Sequence, residues 1–180
     1  MPEQDPAQRF TALYDQHYPR VFAYLAGRAG QHIAEEAASE TFMVAWRRLD
    51  DIPATAVVPW LLTVARNVLH DSYRKELRRA ALASDLERWA DATDQAGSDI
   101  AEHVADRAEV LRALARMSDA DRELLTLVAW HGLGPADAAR VLGCSAATFA
   151  VRLHRARRRF DRAVVHEAEC TEPATTRTGR

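Results

Sequence analysis

Gly132-Leu-Gly-Pro-Ala-Asp-Ala-Ala-Arg-Val-Leu-Gly-Cys-Ser-Ala-Ala-Thr-Phe-Ala-Val-Arg-Leu-His-Arg-Ala-Arg-Arg-Arg-Phe160 is the stretch on which the reading of this chain turns. Pro135 opens a short helix, Ala136 to Leu142, with Ala138, Ala139 and Leu142 inward. Gly143 permits a left-handed backbone that closes it, and Ser145 caps the helix that follows. That second helix, Ala146 to about Val164, places Phe149, Leu153, Ala156 and Phe160 on one apolar face. Two helices across a tight turn form a helix-turn-helix, and the small Ala139 lets them approach closely. Arg152, Arg155, Arg157, Arg158, Arg159 and Arg162 crowd the second helix within three turns. Arginine grips phosphate or guanine with two parallel donors, so shape and charge together predict DNA contact rather than a packing unit with a solvated arginine face.

The helices before this motif are equally legible. Val110, Leu111, Leu114, Ala115 and Met117 close one helix, and Ser118-Asp-Ala-Asp121 reads as an N-cap followed by an acid three residues on. The helix so begun runs through Trp130 with Leu124, Leu125, Leu127 and Val128 inward. Nearer the N-terminus, Phe10, Leu13, Tyr14, His17, Val21, Tyr24 and Leu25 recur at three- and four-residue steps, a helical face that should stop near Gly27 to Gly30. Ile33 to Leu49 aligns Ala37, Ala38, Thr41, Phe42, Ala45, Trp46 and Leu49 on a second stripe. A third helix should begin at Pro59 and turn Trp60, Leu61, Val64, Ala65, Val68, Leu69 and Tyr73 inward. Past Tyr73 it becomes basic, with Arg74, Lys75, Arg78 and Arg79. A solvated face explains such a cluster by itself; a helix that contacts phosphates and unstacked bases explains it with Arg66, Asn67 and the aromatics nearby.

The 180 residues carry a net charge of −2, which hides opposed blocks. Met1 to Arg79 is balanced, ten basic residues against ten acids. Ala80 to Ala105 sets Arg88 against six acids, and Asp106 to Arg162 sets eleven arginines against seven acids. The acidic stretch, rich in small polar residues from Ala83 to Ser98, predicts a mobile linker, and the tail after Glu169 lacks apolar periodicity. The expected fold class is therefore all-α: two small helical domains, 7–79 and 106–165, joined by a flexible acidic linker over 80–105 and followed by a disordered tail over 166–180. With 7 Gly, 7 Pro and little β-branched alternation, an all-β fold is excluded. Cys144 and Cys170 cannot frame a disulfide scaffold, and neither has zinc-ligand spacing to another Cys or His. The seven His are scattered, with no HExxH, nucleophile elbow or phosphate loop, so no enzyme activity, metal or cofactor is expected. No export signal or run of about 18 apolar residues is present, which predicts a cytoplasmic chain without membrane insertion.

Several motifs in this order resemble a known family. In the first block they are Phe10-x-x-Leu-Tyr14, Ala34-Glu-Glu-Ala-Ala-Ser-Glu-Thr-Phe-Met-Val-Ala-Trp46 and Pro59-Trp-Leu-Leu-Thr-Val-Ala-Arg-Asn67, followed by Asp71 and Arg74. In the second they are Leu114-Ala-Arg-Met, Arg122-Glu-Leu-Leu, Gly132-Leu to Gly143, and Thr148-Phe-Ala-Val-Arg-Leu-His-Arg-Ala-Arg157. Together they resemble an RNA polymerase sigma factor of the extracytoplasmic-function (ECF) type, which keeps the second and fourth sigma domains.

The resemblance implies binding to core RNA polymerase, through the clamp helices of its largest subunit and the flap of its second-largest, direction to specific promoters, and help in opening DNA. It places core contacts at Glu36, Ser39, Glu40 and, structurally, Trp46. It gives the minus-ten element, with a flipped non-template base, to Trp60, Arg66, Asn67, Arg74 and Lys75 and to the preceding loop. It gives the minus-thirty-five element to Ser145, Ala147, Thr148 and Arg152, with Arg155, Arg157 and Arg158 nearer the backbone. Ala150 and Val151 stand where the family commonly carries a basic and a small polar residue, and Gly134 replaces the usual cap before Pro135, which reduces polar contact and predicts either low promoter affinity of this domain or an unusual sequence read. An anti-sigma factor is a further candidate partner. The rival readings are a helix-turn-helix regulator, which would need a receiver or ligand domain that the first block lacks, and a degenerate sigma-like protein that binds without reading DNA.

Overall fold

The computed structural model describes residues 5–83 and 104–171, with side chains described over 5–77 and 110–166. Asp5 begins the first helix: its carboxylate accepts from the Ala7 backbone N–H at 3.2 Å, and Pro6, at the first helical position, has no N–H to leave unpaired. Helix α1 spans Pro6–Arg47 and is broken once, at Gly30, whose φ of 76° lies outside the helical region. A side chain would be strained there, and glycine is not. The break expected over Gly27 to Gly30 is thus Gly30 alone, and the helix ends two residues short of Leu49, which lies in a 3₁₀ turn, Leu49–Asp51. Pro19 removes one hydrogen bond within α1, yet Val21, Tyr24 and Leu25 just beyond it are buried, which holds the helix to its course.

Helix α2 spans Val57–Ala83. The start expected at Pro59 is corrected by two residues: Trp60 N–H bonds to the Ala56 carbonyl, so Pro59 sits inside the first turn, where a missing N–H costs nothing. Helix α2 packs on α1 through Leu61, Leu62, Ala65, Val68 and Leu69 against Val21, Tyr24, Leu25, Ala37, Ala38, Phe42 and Ala45, all buried. Each large aliphatic side chain so enclosed contributes about 1.5–3 kcal/mol. Thr41 is the polar member of this core, and its hydroxyl is satisfied by the Ala37 carbonyl at 2.7 Å.

The second unit holds α3 (Val104–Ala115), α4 (Asp119–Ala129), α5 (Pro135–Val141) and α6 (Ala146–Thr171). Helices α3 and α4 both pack on α6. Leu114, Met117, Leu124, Leu127, Leu133, Ala138, Phe149, Leu153 and Ala156 form its core. On α4, Glu123 is buried beside Leu124, whereas Leu125 and Val128 are half-buried.

Three expected boundaries shift. Helices α2 and α3 take the first four and last two residues of the linker expected over 80–105, and α6 takes 166–171 of the tail expected to be disordered. The rest of both stretches, including the mobility expected of Ala83 to Ser98 beyond Ala83 itself, lies outside the described residues. Among the described residues every regular element is helical, and no helix is long and apolar enough to cross a membrane.

Candidate nucleic-acid and polymerase interfaces

The turn between α5 and α6 is built from both ends. Gly143, at φ 65°, places its N–H on the Arg140 carbonyl at 3.1 Å, and Cys144 N–H reaches the Ala139 carbonyl at 3.0 Å. These two bonds make a Schellman closure that ties off the last carbonyls of α5. One residue later the Ser145 hydroxyl accepts from Thr148 N–H at 3.1 Å and lies 2.9 Å from the Thr148 hydroxyl, so α6 starts from a fixed point. Cys144 is a half-buried free thiol in this turn. At its start α5 is anchored through the backbone, Ala138 N–H to the Gly134 carbonyl at 2.9 Å.

Helix α6 buries Phe149, Leu153 and Ala156 and exposes Ala147, Thr148, Arg155, Arg157 and Arg158; Arg152 is half-buried. The six arginines of the run do not share one role. Arg159 donates from Nε and Nη2 to the two carboxylate oxygens of Asp121 at 2.7 and 2.6 Å, a fork that joins α6 to the first turn of α4. This fork, with the Ser118 hydroxyl, holds the Asp121 carboxyl below its ordinary value of 3.8, and it raises the guanidinium of Arg159. Arg162 bonds to the Arg158 carbonyl of its own helix. Arg155, Arg157 and Arg158 therefore form the outward basic surface, with Arg152 at its edge toward Asp121, whose carboxyl its charge helps to lower.

In the first unit, Glu36, Ser39 and Glu40 lie exposed on the outward face of α1 beyond its break, together with Met43. The Ser39 hydroxyl donates to the Glu35 carbonyl at 2.9 Å. Trp46, expected in the buried stripe, is 47% exposed and meets Phe10 edge-on at 5.1 Å, because the stripe at the end of α1 outruns the surface that α2 covers. A shallow cavity of about 250 Å³ joins Trp46 to Pro6 and the 3₁₀ turn.

On α2, the seven-residue spacing sets Trp60, Asn67 and Arg74 in one line opposite the buried face. Trp60, expected inward, is half-buried on this outer line, Tyr73, also expected inward, is exposed, and so are Asn67 and Arg74. Arg66, half-buried, and Lys75, exposed, fall to either side of that line.

Two features escaped the sequence reading. Tyr14, Tyr18 and Phe22 stack along α1 at 5.0 and 5.9 Å, with Phe42 against both tyrosines; the four-residue spacing Phe10, Tyr14, Tyr18, Phe22 was the available signal. His17, on the same helix, is held below its ordinary pKa of 6.5, first by burial and then by the charge of Arg20. Among the described residues no group of three His, Cys, Asp or Glu is placed to hold a metal ion.

Residues 13–79 match the family model for Sigma-70 region 2, and residues 107–160 match that for Sigma-70, region 4. The chain belongs to the sigma-70 family of RNA polymerase sigma factors. Its relatives place it in the ECF group. The ECF RNA polymerase sigma factor SigL of Mycobacterium tuberculosis is 34% identical over 154 residues, covering 79% of this chain and 81% of that protein. BldN of Streptomyces coelicolor, also an ECF RNA polymerase sigma factor, is 29% identical over 165 residues, 90% of this chain but 62% of the relative's length. The solved sigma factor RpoE of Bartonella quintana, in complex with the anti-sigma factor NepR, shares the fold with a TM-score of 0.66 at 24% identity, over 87% of this chain and 96% of that one. Membership places this sigma factor in transcription initiation, with a region 2 bundle and a DNA-binding region 4 helix-turn-helix.

Proposed function

We propose that this sigma factor brings core RNA polymerase to promoters by two separate DNA contacts and assists strand opening through the first unit. The observation that carries this reading is the surface of α6: arginines lie outward on a helix whose start is fixed by the capped turn and whose opposite face is buried. In the major groove of a minus-thirty-five element, Ser145, Ala147, Thr148 and Arg152 lie at the reading end and Arg155, Arg157 and Arg158 along the backbone. The line of Trp60, Asn67 and Arg74 on α2, with Arg66 and Lys75 beside it, holds the melted non-template strand of the minus-ten element. Unstacking a base costs a few kcal/mol, and stacking with polar contacts must offset it. Glu36, Ser39, Glu40 and Trp46 dock on the clamp helices of the largest subunit, and the second unit engages the flap of the second-largest. Phosphodiester chemistry stays with the polymerase, and the chain acts in the cytoplasm. The solved relative held by NepR supports an anti-sigma factor as the inhibitory partner here.

Purified chain, core polymerase and a promoter fragment test these roles together. Asn67→Ala with Arg74→Ala should retain core association and lower the rate of opening at least tenfold; loss of association would mean that α2 binds polymerase instead. Arg155→Ala should lower the slope of log affinity against log salt by about 0.9, the loss of one phosphate contact. Arg159→Ala should leave that slope unchanged, because its guanidinium is engaged by Asp121. Association without promoter opening by the unaltered chain would identify a degenerate binder, and DNA binding without core association a conventional regulator.

A further inference from the structure

At 100° per residue, the line of α6 opposite Phe149, Leu153 and Ala156 passes through Ala147, Val151 and Arg158. Val151 is 52% exposed, an isopropyl group presented to solvent on the most basic helix of the chain. Ala147 precedes it by one turn, Ala150 flanks it, and both are exposed. The neighbouring Thr148 hydroxyl is held against Ser145 Oγ at 2.9 Å. Guanine is read by Arg or Lys and adenine by Asn or Gln, and none of these occurs between Ser145 and Val151. Side chains that end in methyl groups can distinguish one base edge in the major groove, that of thymine, which carries a C5-methyl group.

We infer that Val151, with Ala147 beside it, is a specificity-determining residue of α6 in addition to Arg152 and receives thymine methyl groups in the major groove. The inference rests on the reading that α6 enters that groove. A DNA duplex is the occupant rather than an apolar protein surface, because exposed Arg155, Arg157 and Arg158 follow within two turns and match the charge of phosphates that flank a base edge. An apolar partner would cover Val151 and leave these guanidinium groups dehydrated without counter-charge.

The test uses the full chain assembled with core polymerase. A duplex selected from random sequence in the minus-thirty-five segment is resynthesised with deoxyuridine for each thymidine of that segment, a change that removes the methyl groups and preserves pairing and phosphates. Each contacted methyl should be worth about three- to fourfold in affinity, the equivalent of about 0.8 kcal/mol, with the salt slope unchanged. Val151→Ala should weaken binding to the thymine duplex and leave the uracil duplex nearly unaffected, so that the ratio between them falls toward one. Equal affinity of the unaltered protein for both duplexes overturns the inference, as does a Val151→Ala protein that keeps the full ratio. Selection of no duplex, or a salt slope that does not respond to Arg155→Ala, would instead overturn the placement of α6 in the groove, and the thymine contact with it. A responsive slope with a silent uracil exchange removes the thymine contact alone.

Discussion

Arg122 shows how much one side chain can do through partners that have no side-chain identity. Its Nε donates to the Leu114 carbonyl at 3.0 Å, and its Nη2 donates to Ala115 at 3.1 Å and to Met117 at 3.0 Å. Its Nη1 pairs with Asp119 at 3.1 Å. The last carbonyls of α3 have no partner within their own helix, and a cation there also suits the helix dipole. Arg122→Ala should destabilise the second unit by about 2 kcal/mol, on the order of 10 °C in melting temperature for a unit of this size. Arg122→Lys should recover little of the loss, since one ammonium cannot reproduce the fork. Thermal denaturation followed by circular dichroism measures this, and an unchanged midpoint for the alanine variant would contradict it. The motif Arg122-Glu-Leu-Leu was visible in the sequence, but this role was not, because the acceptors are backbone atoms five to eight residues back. The Arg159–Asp121 fork was hidden for a different reason: its partners are 38 residues apart, and only the packing of α4 on α6 joins them.

At the scale of elements the sequence is most legible where turn chemistry is local. Gly143 and Ser145 were readable as stop and start signals, and the structure places a left-handed residue and a hydroxyl cap at those positions. Boundaries set by packing were less readable: α2 begins at Val57 rather than Pro59, and Trp46 stays half exposed at the end of its stripe, covered on one side by Phe10. The two glycines that flank α5 make the contrast testable. Gly143 is in the left-handed region with no atom within 4 Å of an added Cβ, so Gly143→Ala should cost about 1–2 kcal/mol through backbone strain alone. Gly143→Asn should cost less, because asparagine tolerates that conformation. Gly134 carries no such requirement and stands at the N-cap of α5 without a side-chain acceptor, so Gly134→Ser should raise stability by a few tenths of a kcal/mol. Urea midpoints of the three variants check the order; a neutral Gly143→Ala would mean that the turn does not need its left-handed residue.

Over the whole molecule the net charge of −2 says little, because basic and acidic blocks are segregated along the chain and respond to acid through different groups. In the first unit His17 has its pKa lowered from 6.5 by burial and by Arg20, so the unfolded chain takes up a proton more readily than the folded one. The stability this gives is fully present above pH 6.5 and is lost as the pH falls through the folded value. In the second unit Asp121 is lowered from 3.8, chiefly by the hydrogen bonds from Arg159, and its side chain is 14% exposed. By the same sign its contribution is present above pH 3.8 and disappears below it. Melting of the full chain between pH 7.5 and 3 should therefore show two windows that single substitutions separate. His17→Gln should melt at a temperature that gains on the unaltered protein as the pH falls from 7 to 5, because the variant has no imidazole to protonate. Asp121→Asn should melt lower than the unaltered protein at pH 7, and that gap should close below pH 4 as the native carboxylate is itself neutralised. A constant His17→Gln difference from pH 7 to 5 would show that His17 titrates alike in both states. An Asp121→Asn gap as wide at pH 3 as at pH 7 would show that the fork to Arg159 does not depend on the carboxylate charge.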